Sequence, residues 1–194
     1  MDSAAAVSVE FDAPTKVANW RPIVQWILAI PHLVIAQVLG YVSGVIWFIS
    51  FFAVLFTKQI PEGLFNFQVM VLRYRTRATM YAGFLHEQYP KFEFSTAQQD
   101  PGGDPLRLSI ARPTEVSRWL PLVKWLLAIP HYILLFIFGI GAVVLWILNF
   151  FIVLFTGKWN DGHRNYIIKV TRYSMLVSAY IMLLRDEYPA FGLG

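Results

Sequence analysis

Two histidines, His32 and His131, lie inside the long apolar stretches of this chain, and each directly follows a proline. An imidazole can ligate iron, contact a quinone headgroup or carry a proton, and ionisable groups within apolar segments are candidates for function. A structural alternative stays open. Proline frees a backbone carbonyl one turn earlier, and the histidine could cap that carbonyl or bond to polar groups near Gln25. If a twofold axis relates the halves of the chain, the two imidazoles could meet and hold one haem b.

Other catalytic constellations are missing from the sequence. It contains no Gly-x-Ser-x-Gly, no phosphate-binding glycine loop and no His-Glu-x-x-His. All aspartates and glutamates lie outside the apolar stretches, which argues against a carboxylate proton relay there. Cysteine is absent, so disulfides and thiolate metal sites are excluded. We therefore predict no catalytic residues, no metal site and no required cofactor.

The composition is that of an integral membrane protein. Of the 194 residues, 57% are hydrophobic and only 14% are charged, whereas soluble domains average about 25% charged residues. The segment from Met1 to Phe11 lacks the basic start and apolar core of a signal peptide. The first apolar segment is therefore expected to stay in the membrane.

The chain is an internal duplication, because it aligns with itself without gaps at an offset of 99 residues. Ala-Ile-Pro-His at 29–32 matches 128–131, and Phe-Phe-x-Val-Leu-Phe-Thr at 51–57 matches 150–156. We place repeat 1 at 1–93, a linker rich in Gln, Asp, Gly and Pro at 94–105, and repeat 2 at 106–194. Alternating apolar residues open each repeat, at 7–11 and 106–110, and predict a short strand.

Each apolar run predicts a two-helix transmembrane hairpin, at about 22–57 and 121–156. No charged residue occurs between Arg21 and Lys58 or between Lys124 and Lys158. One straight helix over such a run would be about 50 Å long, against a hydrocarbon core of about 30 Å. We expect the chain to reverse near 40–44 and 139–141, where glycines occur. The fold class is thus all-α with four transmembrane helices. A wedge that enters only one leaflet is the alternative.

All sixteen lysines and arginines lie outside the apolar runs and away from the expected turns. Excess Lys and Arg mark the cytoplasmic side of a membrane. We therefore expect a multi-pass protein with both termini and the linker in the cytoplasm. An even number of crossings gives the repeats the same orientation, with a pseudo-twofold axis along the membrane normal.

The segments at about 63–88 and 162–187 are predicted to be amphipathic helices in the membrane interface. Their central charges are too costly for a membrane span. The basic residues expected to contact anionic lipid headgroups are Arg73, Arg77, Lys169 and Arg172. Trp20 and Trp119 begin the apolar runs and are expected to anchor them at the interface. Arg75 does not fit the basic stripe.

The order Ala-Ile-Pro-His, Phe-Phe-x-Val-Leu-Phe-Thr, Arg-Tyr and closing Tyr-Pro-x-Phe resembles an uncharacterised bacterial membrane family, domain of unknown function 4389. The resemblance occurs twice and covers nearly the whole chain. The second copy is closer, with Leu-Phe-Thr-Gly-Lys-Trp at 154–159. The resemblance implies a protein of the bacterial cytoplasmic membrane and adds no catalytic residue.

We therefore expect a non-catalytic membrane scaffold or accessory subunit that contacts lipid or shapes the bilayer. Its partners would be the bilayer, other membrane proteins or further copies of itself, and no nucleic acid. The alternative is a membrane protein that binds haem, a quinone or another small molecule through His32 and His131.

Overall fold

The structure, a computed structural model, describes residues 7–194. Six helices and two strands follow one another in two equal series, and equivalent elements have equal lengths. The elements are β1 (Val7–Phe11), α1 (Arg21–Leu28), α2 (Ile30–Thr57), α3 (Glu62–Ala82), β2 (Leu106–Ile110), α4 (Leu120–Leu127), α5 (Ile129–Thr156) and α6 (Asp161–Ile181). The two strands and the repeated organisation agree with the sequence prediction.

The predicted reversal of each apolar run is wrong. Each run forms a short helix and then one unbroken helix of 28 residues, α2 or α5, about 42 Å long. The only interruption is at Ala29 or Ala128, two residues before the proline, since a proline ring clashes with the backbone one turn earlier and interrupts a continuing helix. Gly40 lies inside α2 because glycine permits a turn without requiring one, and the packed partner helix α3 selects the helical conformation.

Helix α3 runs back along α2, and α6 runs back along α5. Near the start of α2, His32 meets Tyr74 in the second half of α3. Midway along α2, Ser43 meets Gln68, which lies earlier in α3. Twelve of the 21 residues of α3 are buried. The prediction of an interfacial amphipathic helix at 63–88 is therefore wrong for α3, which lies inside the protein. In α6, seven of the 21 residues are buried. Both α3 and α6 end earlier than predicted.

The two strands pair antiparallel in a symmetric register. Val9 lies opposite Leu108, its own equivalent in the other repeat, and Val7 lies opposite Ile110. A pseudo-twofold axis therefore passes through the sheet between Val9 and Leu108. The apolar side chains of this sheet pack on α3 and α6 and complete the main core. The other face of the sheet carries the exposed ion pair of Glu10 and Arg107.

Contacts between the repeats show that α2 and α5 run in opposite directions. The Val17 amide, just before α1, donates to the Gly157 carbonyl at the end of α5 over 2.9 Å. The Val116 amide, just before α4, donates to the Lys58 carbonyl at the end of α2, also over 2.9 Å. Each long helix thus ends beside the start of the other repeat's apolar run. The pseudo-twofold axis consequently lies across the long helices.

This direction is incompatible with one combination of predictions. If α2 and α5 crossed a membrane, their opposite directions would give inverted repeats. The sequence predicted spanning helices together with repeats of the same orientation. The pseudo-twofold axis lies across α2 and α5. It can therefore point along the membrane normal, and give both repeats the same orientation, only if these helices lie in the membrane plane.

Most of the surface of α2 and α5 is apolar and uncovered. Helix α2 and the stretch 120–156, which comprises α4 and α5, are each long and apolar enough to cross a membrane. Within the most apolar 18 residues of each, only 17% and 11% are buried. On α2 the exposed side chains include Val38, Val45, Phe48, Phe52 and Phe56. The buried residues of α2, His32, Ala36, Ser43, Ser50 and Val54, recur at helical spacing and face α3.

Candidate functional site

The histidine of repeat 1 lies in a closed aromatic cluster. His32 is completely buried, and its Nδ1 shares a hydrogen bond with the Tyr74 hydroxyl over 2.8 Å. The Phe92 ring stacks on the imidazole at 4.3 Å between centroids and 16° between planes. Tyr89 meets it edge-on at 4.8 Å, and Phe94 stacks on Tyr74 from outside at 5.3 Å. Phe92, Tyr89 and Tyr74 thus surround the imidazole, and one of its ring nitrogens is hydrogen-bonded.

Repeat 2 builds the same cluster from the equivalent residues. His131 Nδ1 lies 2.5 Å from the Tyr173 hydroxyl. Phe191 stacks on the imidazole at 4.7 Å and 17°, and Tyr188 lies 4.6 Å from it. Repetition of one arrangement by two diverged copies indicates that the cluster belongs to the fold of the repeat.

Three separated elements supply each cluster. His32 is in the first turn of α2, where Pro31 lacks only an N–H that would have no helical partner. Tyr74 comes from α3, and Tyr89 and Phe92 come from the Tyr-Pro-x-Phe segment that follows it. The sequence pattern Pro-His, Arg-Tyr and Tyr-Pro-x-Phe is therefore one contact cluster. The predicted caps on a freed carbonyl or near Gln25 are wrong, because the Tyr74 hydroxyl occupies Nδ1 and Gln25 bonds to the carbonyls of Tyr81 and His86.

The structure does not bring the two imidazoles together. Within residues 7–194, every polar and aromatic contact of His32 is with repeat 1, and every such contact of His131 is with repeat 2. The Nε2 atom of each ring is buried with no hydrogen-bond partner in this part of the chain. Haem iron could bind Nε2 of either histidine only by passing the packed aromatic rings. Binding of haem b by these residues stays a prediction.

Arg73 and Arg77 lie in a buried ionic cluster. They are 2% and 3% exposed, and Asp100 bridges them, with Oδ2 3.1 Å from Arg73 Nε and Oδ1 2.7 Å from Arg77 Nη2. Arg73 Nε and Arg77 Nε also donate to the β2 carbonyls of Leu108 and Leu106, each over 3.1 Å. Their predicted contact with lipid headgroups is wrong, because the linker and β2 cover both guanidinium groups.

Burial governs the electrostatics of this cluster. It lowers the pKa of Arg73, and the charge of Asp100 opposes that shift. It raises the pKa of Asp104, whose Oδ1 lies 3.7 Å from Arg77 Nε, and the charge of Arg77 opposes the rise. Each charge is therefore held in a low-dielectric site by its partner. The linker, interpreted from sequence as a connector, supplies the acids.

The remaining predicted interface residues lie at the surface. Trp20 and Trp119 are 49% and 70% exposed. Arg172 is exposed, and Lys169 is half-buried with its Nζ 3.4 Å from the Leu193 carbonyl. Contact of these four residues with lipid stays a prediction.

The sequence identified the histidines and arginines at the centre of these clusters, but not the residues that they contact. Asp100 and Asp104 have the same four-residue spacing as Arg73 and Arg77, a signal that could have linked the two segments. The repeat alignment included Tyr74, Tyr89 and Phe92. No local sequence pattern, however, indicated that they contact His32. Between Val7 and Gly194, no group of three or more His, Asp or Glu could hold a metal ion.

Comparison with known proteins gives one match. The chain matches the family described as Domain of unknown function (DUF4389) twice, over residues 19–93 and 119–192. No curated protein and no solved structure matches it. Both matched segments contain one complete histidine–aromatic cluster, from the Pro-His pair to the closing phenylalanine. The chain therefore belongs to the DUF4389 family and carries two tandem copies of its domain.

Proposed function

We propose that this protein is a non-catalytic membrane scaffold or accessory subunit, embedded in a bacterial cytoplasmic membrane through α1, α2, α4 and α5. The observation that carries the proposal is the continuous uncovered apolar surface of these helices. Monomeric soluble proteins rarely expose contiguous apolar patches beyond a few hundred Å². Each histidine–aromatic cluster then serves to hold the start of a lipid-contacting helix against α3 or α6.

The sheet supports an orientation in which α2 and α5 lie along the membrane plane. The pseudo-twofold axis passes through the sheet and across both long helices, so the sheet lies at mid-length along them. If the helices spanned the bilayer, Glu10 and Arg107, exposed by 60% and 49%, would lie near its centre. A central charge costs about 2.5–3.5 kcal/mol even on lenient insertion scales. An in-plane arrangement keeps this face of the sheet in water.

Thiol labelling tests this orientation, because the chain has no cysteine of its own. Gln59 and Lys158 occupy equivalent exposed positions just after α2 and α5. In-plane helices predict that Gln59→Cys and Lys158→Cys react with an impermeant reagent from the cytoplasmic side only. Val45→Cys, at the middle of the uncovered face of α2, should be protected from both sides.

Other outcomes decide against the in-plane orientation. Labelling of Gln59→Cys and Lys158→Cys from opposite sides would show that α2 and α5 each cross the membrane once. Release of the wild-type protein by alkaline carbonate would contradict membrane embedding altogether.

The scaffold function is tested by isolation from native membranes in mild detergent. A stable complex with other membrane proteins, or a defined oligomer of this chain, is the expected result. A monodisperse monomer that associates with nothing would contradict the proposal.

The haem or small-molecule alternative is favoured only by the unpartnered Nε2 atoms of His32 and His131. A visible spectrum of the purified protein separates it from the scaffold proposal. A Soret band that disappears in His32→Ala or His131→Ala would establish haem binding, and a colourless protein from haem-replete cells would exclude it.

A further inference from the structure

Two adjoining cavities lie between the repeats. The first is a cleft between α3 and α6 of about 370 Å³, and the second is an apolar groove of about 360 Å³ that extends toward α5. They share Thr79, Met80 and Thr171 and are therefore continuous. The lining of the cleft pairs equivalent positions of the two repeats, such as Arg75 with Ser174 and Thr79 with Ser178. The cleft thus lies at the pseudo-twofold axis.

The cleft contains a positive charge without a partner. Arg75 is exposed and, within the described chain, forms no ion pair and no side-chain hydrogen bond, whereas Arg73 and Arg77 on the same helix are both paired. Its guanidinium lies against α2 at Gly40, where an added Cβ would be 3.5 Å from Nη1. Gly40 therefore lets the cation approach the middle of an apolar helix. An unpaired cation beside an apolar helix attracts an anion.

Hydroxyl groups accompany this cation. Thr79 and Thr171 donate to carbonyls of their own helices, those of Arg75 and Ile167, over 2.9 Å each. The hydroxyls of Ser174 and Ser178 have no such bond in the described structure and are available as donors. One guanidinium and two serine hydroxyls on facing helices match the oxygens of a phosphate or carboxylate.

The adjoining groove is chemically different. Its lining is mostly apolar and includes Gly83, Leu85, Ala142, Val143, Ile167 and the Trp146 ring. The Trp146 indole donates to the Gly83 carbonyl over 3.2 Å, so its polar atom is occupied and the ring presents an apolar surface. The groove adjoins the uncovered surface of α5. Its continuity with the cleft places an apolar channel beside a cationic site.

We infer that the cleft and groove together bind one anionic lipid, with its acidic headgroup at Arg75 and one acyl chain against Trp146. The single unpaired cation matches a headgroup of one negative charge, such as phosphatidylglycerol. A free anion would use the cleft and leave the groove empty, so the apolar half of the site favours a lipid. The inference depends on the proposed membrane embedding only for access to lipid.

The test is native mass spectrometry of the full chain in neutral detergent. Phosphatidylglycerol is expected to bind at one per chain, at least tenfold more tightly than phosphatidylcholine of the same chain length. Arg75→Gln should weaken phosphatidylglycerol binding at least tenfold, and Arg75→Lys should restore part of it. Arg107→Gln, which removes one positive charge from the sheet, should have no effect.

The acyl chain is tested separately. Ala142→Phe fills the groove and should weaken binding of long-chain phosphatidylglycerol at least fivefold, whereas Val144→Phe, on the uncovered face of α5, should not. Equal binding by Arg75→Gln and the wild type would overturn the inference, as would equal binding of the two lipids. Competition by millimolar inorganic phosphate would assign the cleft to a free anion and also overturn it. Carbonate extraction of Arg75→Gln is a separate readout, because membrane embedding should persist whether or not the lipid site exists.

Discussion

At the scale of single residues, the hydrogen bond between histidine and tyrosine is the central contact of each repeat. His32 is completely buried, so its Nδ1 has no access to water and depends on the Tyr74 hydroxyl. A buried polar atom that loses its partner costs about 1–3 kcal/mol. The stacked Phe92 fixes the plane of the imidazole and hence the direction of this bond.

Tyr74→Phe should therefore lower the free energy of unfolding by about 1–3 kcal/mol, because His32 Nδ1 loses its partner while the ring packing is kept. Thermal unfolding in detergent measures the change. Tyr41→Phe, at an exposed tyrosine of α2, is the matched control and should change stability by less than about 0.5 kcal/mol. The double variant His32→Phe/Tyr74→Phe should recover most of the loss. Equal melting of Tyr74→Phe and Tyr41→Phe would contradict the role of the bond.

His86 is a second buried histidine, with different surroundings. It is almost fully buried between Phe11 and Tyr81, and neither ring nitrogen has a hydrogen-bond partner in the described residues. Burial, with a smaller contribution from the nearby charge of Arg164, lowers the pKa of His86 to about 4. The folded protein therefore holds this imidazole in its neutral form.

A pH dependence follows from that lowered pKa. Well above its ordinary pKa of about 6.5, the histidine is neutral in both folded and unfolded chains. As the pH falls toward 4, only the unfolded chain binds the proton, so up to about 3 kcal/mol of stability is lost. His86→Leu should lose less stability than the wild type between pH 7.5 and pH 4.5. Parallel melting curves across this range would refute the prediction, since the carboxylates common to both proteins cancel in the difference.

At the scale of elements, α3 shows how a helix with central charges can lie inside this protein. Its arginines point to β2 and the linker, where two carbonyls and two carboxylates neutralise or satisfy them. The neighbouring face of α3 packs Tyr74 and Ala78 on Ala36 of α2. The linker therefore acts as a structural element, because the acids that it carries allow α3 to be buried.

Asp100→Asn should destabilise the protein by about 3–5 kcal/mol, because it leaves two buried guanidinium groups without their shared anion. Chemical unfolding of the purified protein measures this loss. Glu10→Gln, which breaks the exposed pair with Arg107, serves as control and should cost less than about 1 kcal/mol. Similar effects of the two substitutions would show that the Asp100 cluster is solvated.

At the scale of the whole molecule, the two repeats form one symmetric unit. They share the β1–β2 sheet, and hydrogen bonds join each repeat to the end of the other's long helix. Trp47 donates to the Ile181 carbonyl, and its equivalent Trp146 donates to the Gly83 carbonyl. Exchange of contacts in both directions makes the core continuous across the repeats.

Oxidation of Ser8→Cys/Ser109→Cys should form an intramolecular disulfide, since these residues lie opposite each other in the register and opposed strand residues have a suitable spacing. Non-reducing electrophoresis should show a faster-migrating monomer. The off-register pair Ser8→Cys/Arg107→Cys, on the same face of the sheet, should form the bond much less readily. A disulfide-linked dimer would instead indicate that the strand pairs between two chains.

Local chemistry and comparison of the chain with itself were enough to predict several features. The duplication, the apolar runs and the strands at 7–11 and 106–110 follow from residue identity and periodicity. The sequence also indicated a backbone defect at Pro31, but the histidine cap predicted there is absent and α1 instead ends at Leu28. The importance of the Pro-His and Tyr-Pro-x-Phe pairs was visible in both copies.

How these parts face one another depends on long-range packing, which local sequence patterns do not encode. Glycine at 40–44 is compatible with both a turn and a helix, and packing on α3 selected the helix. Apolar periodicity does not distinguish a protein core from a lipid surface, so α3 was placed in the interface and its arginines against headgroups. Arg73 and Asp100 are 27 residues apart in the chain, and such pairings depend on chain topology. The direction of the pseudo-twofold axis also depends on long-range contacts, because the strand register and the contacts between the repeats determine it. No local sequence pattern encodes these contacts.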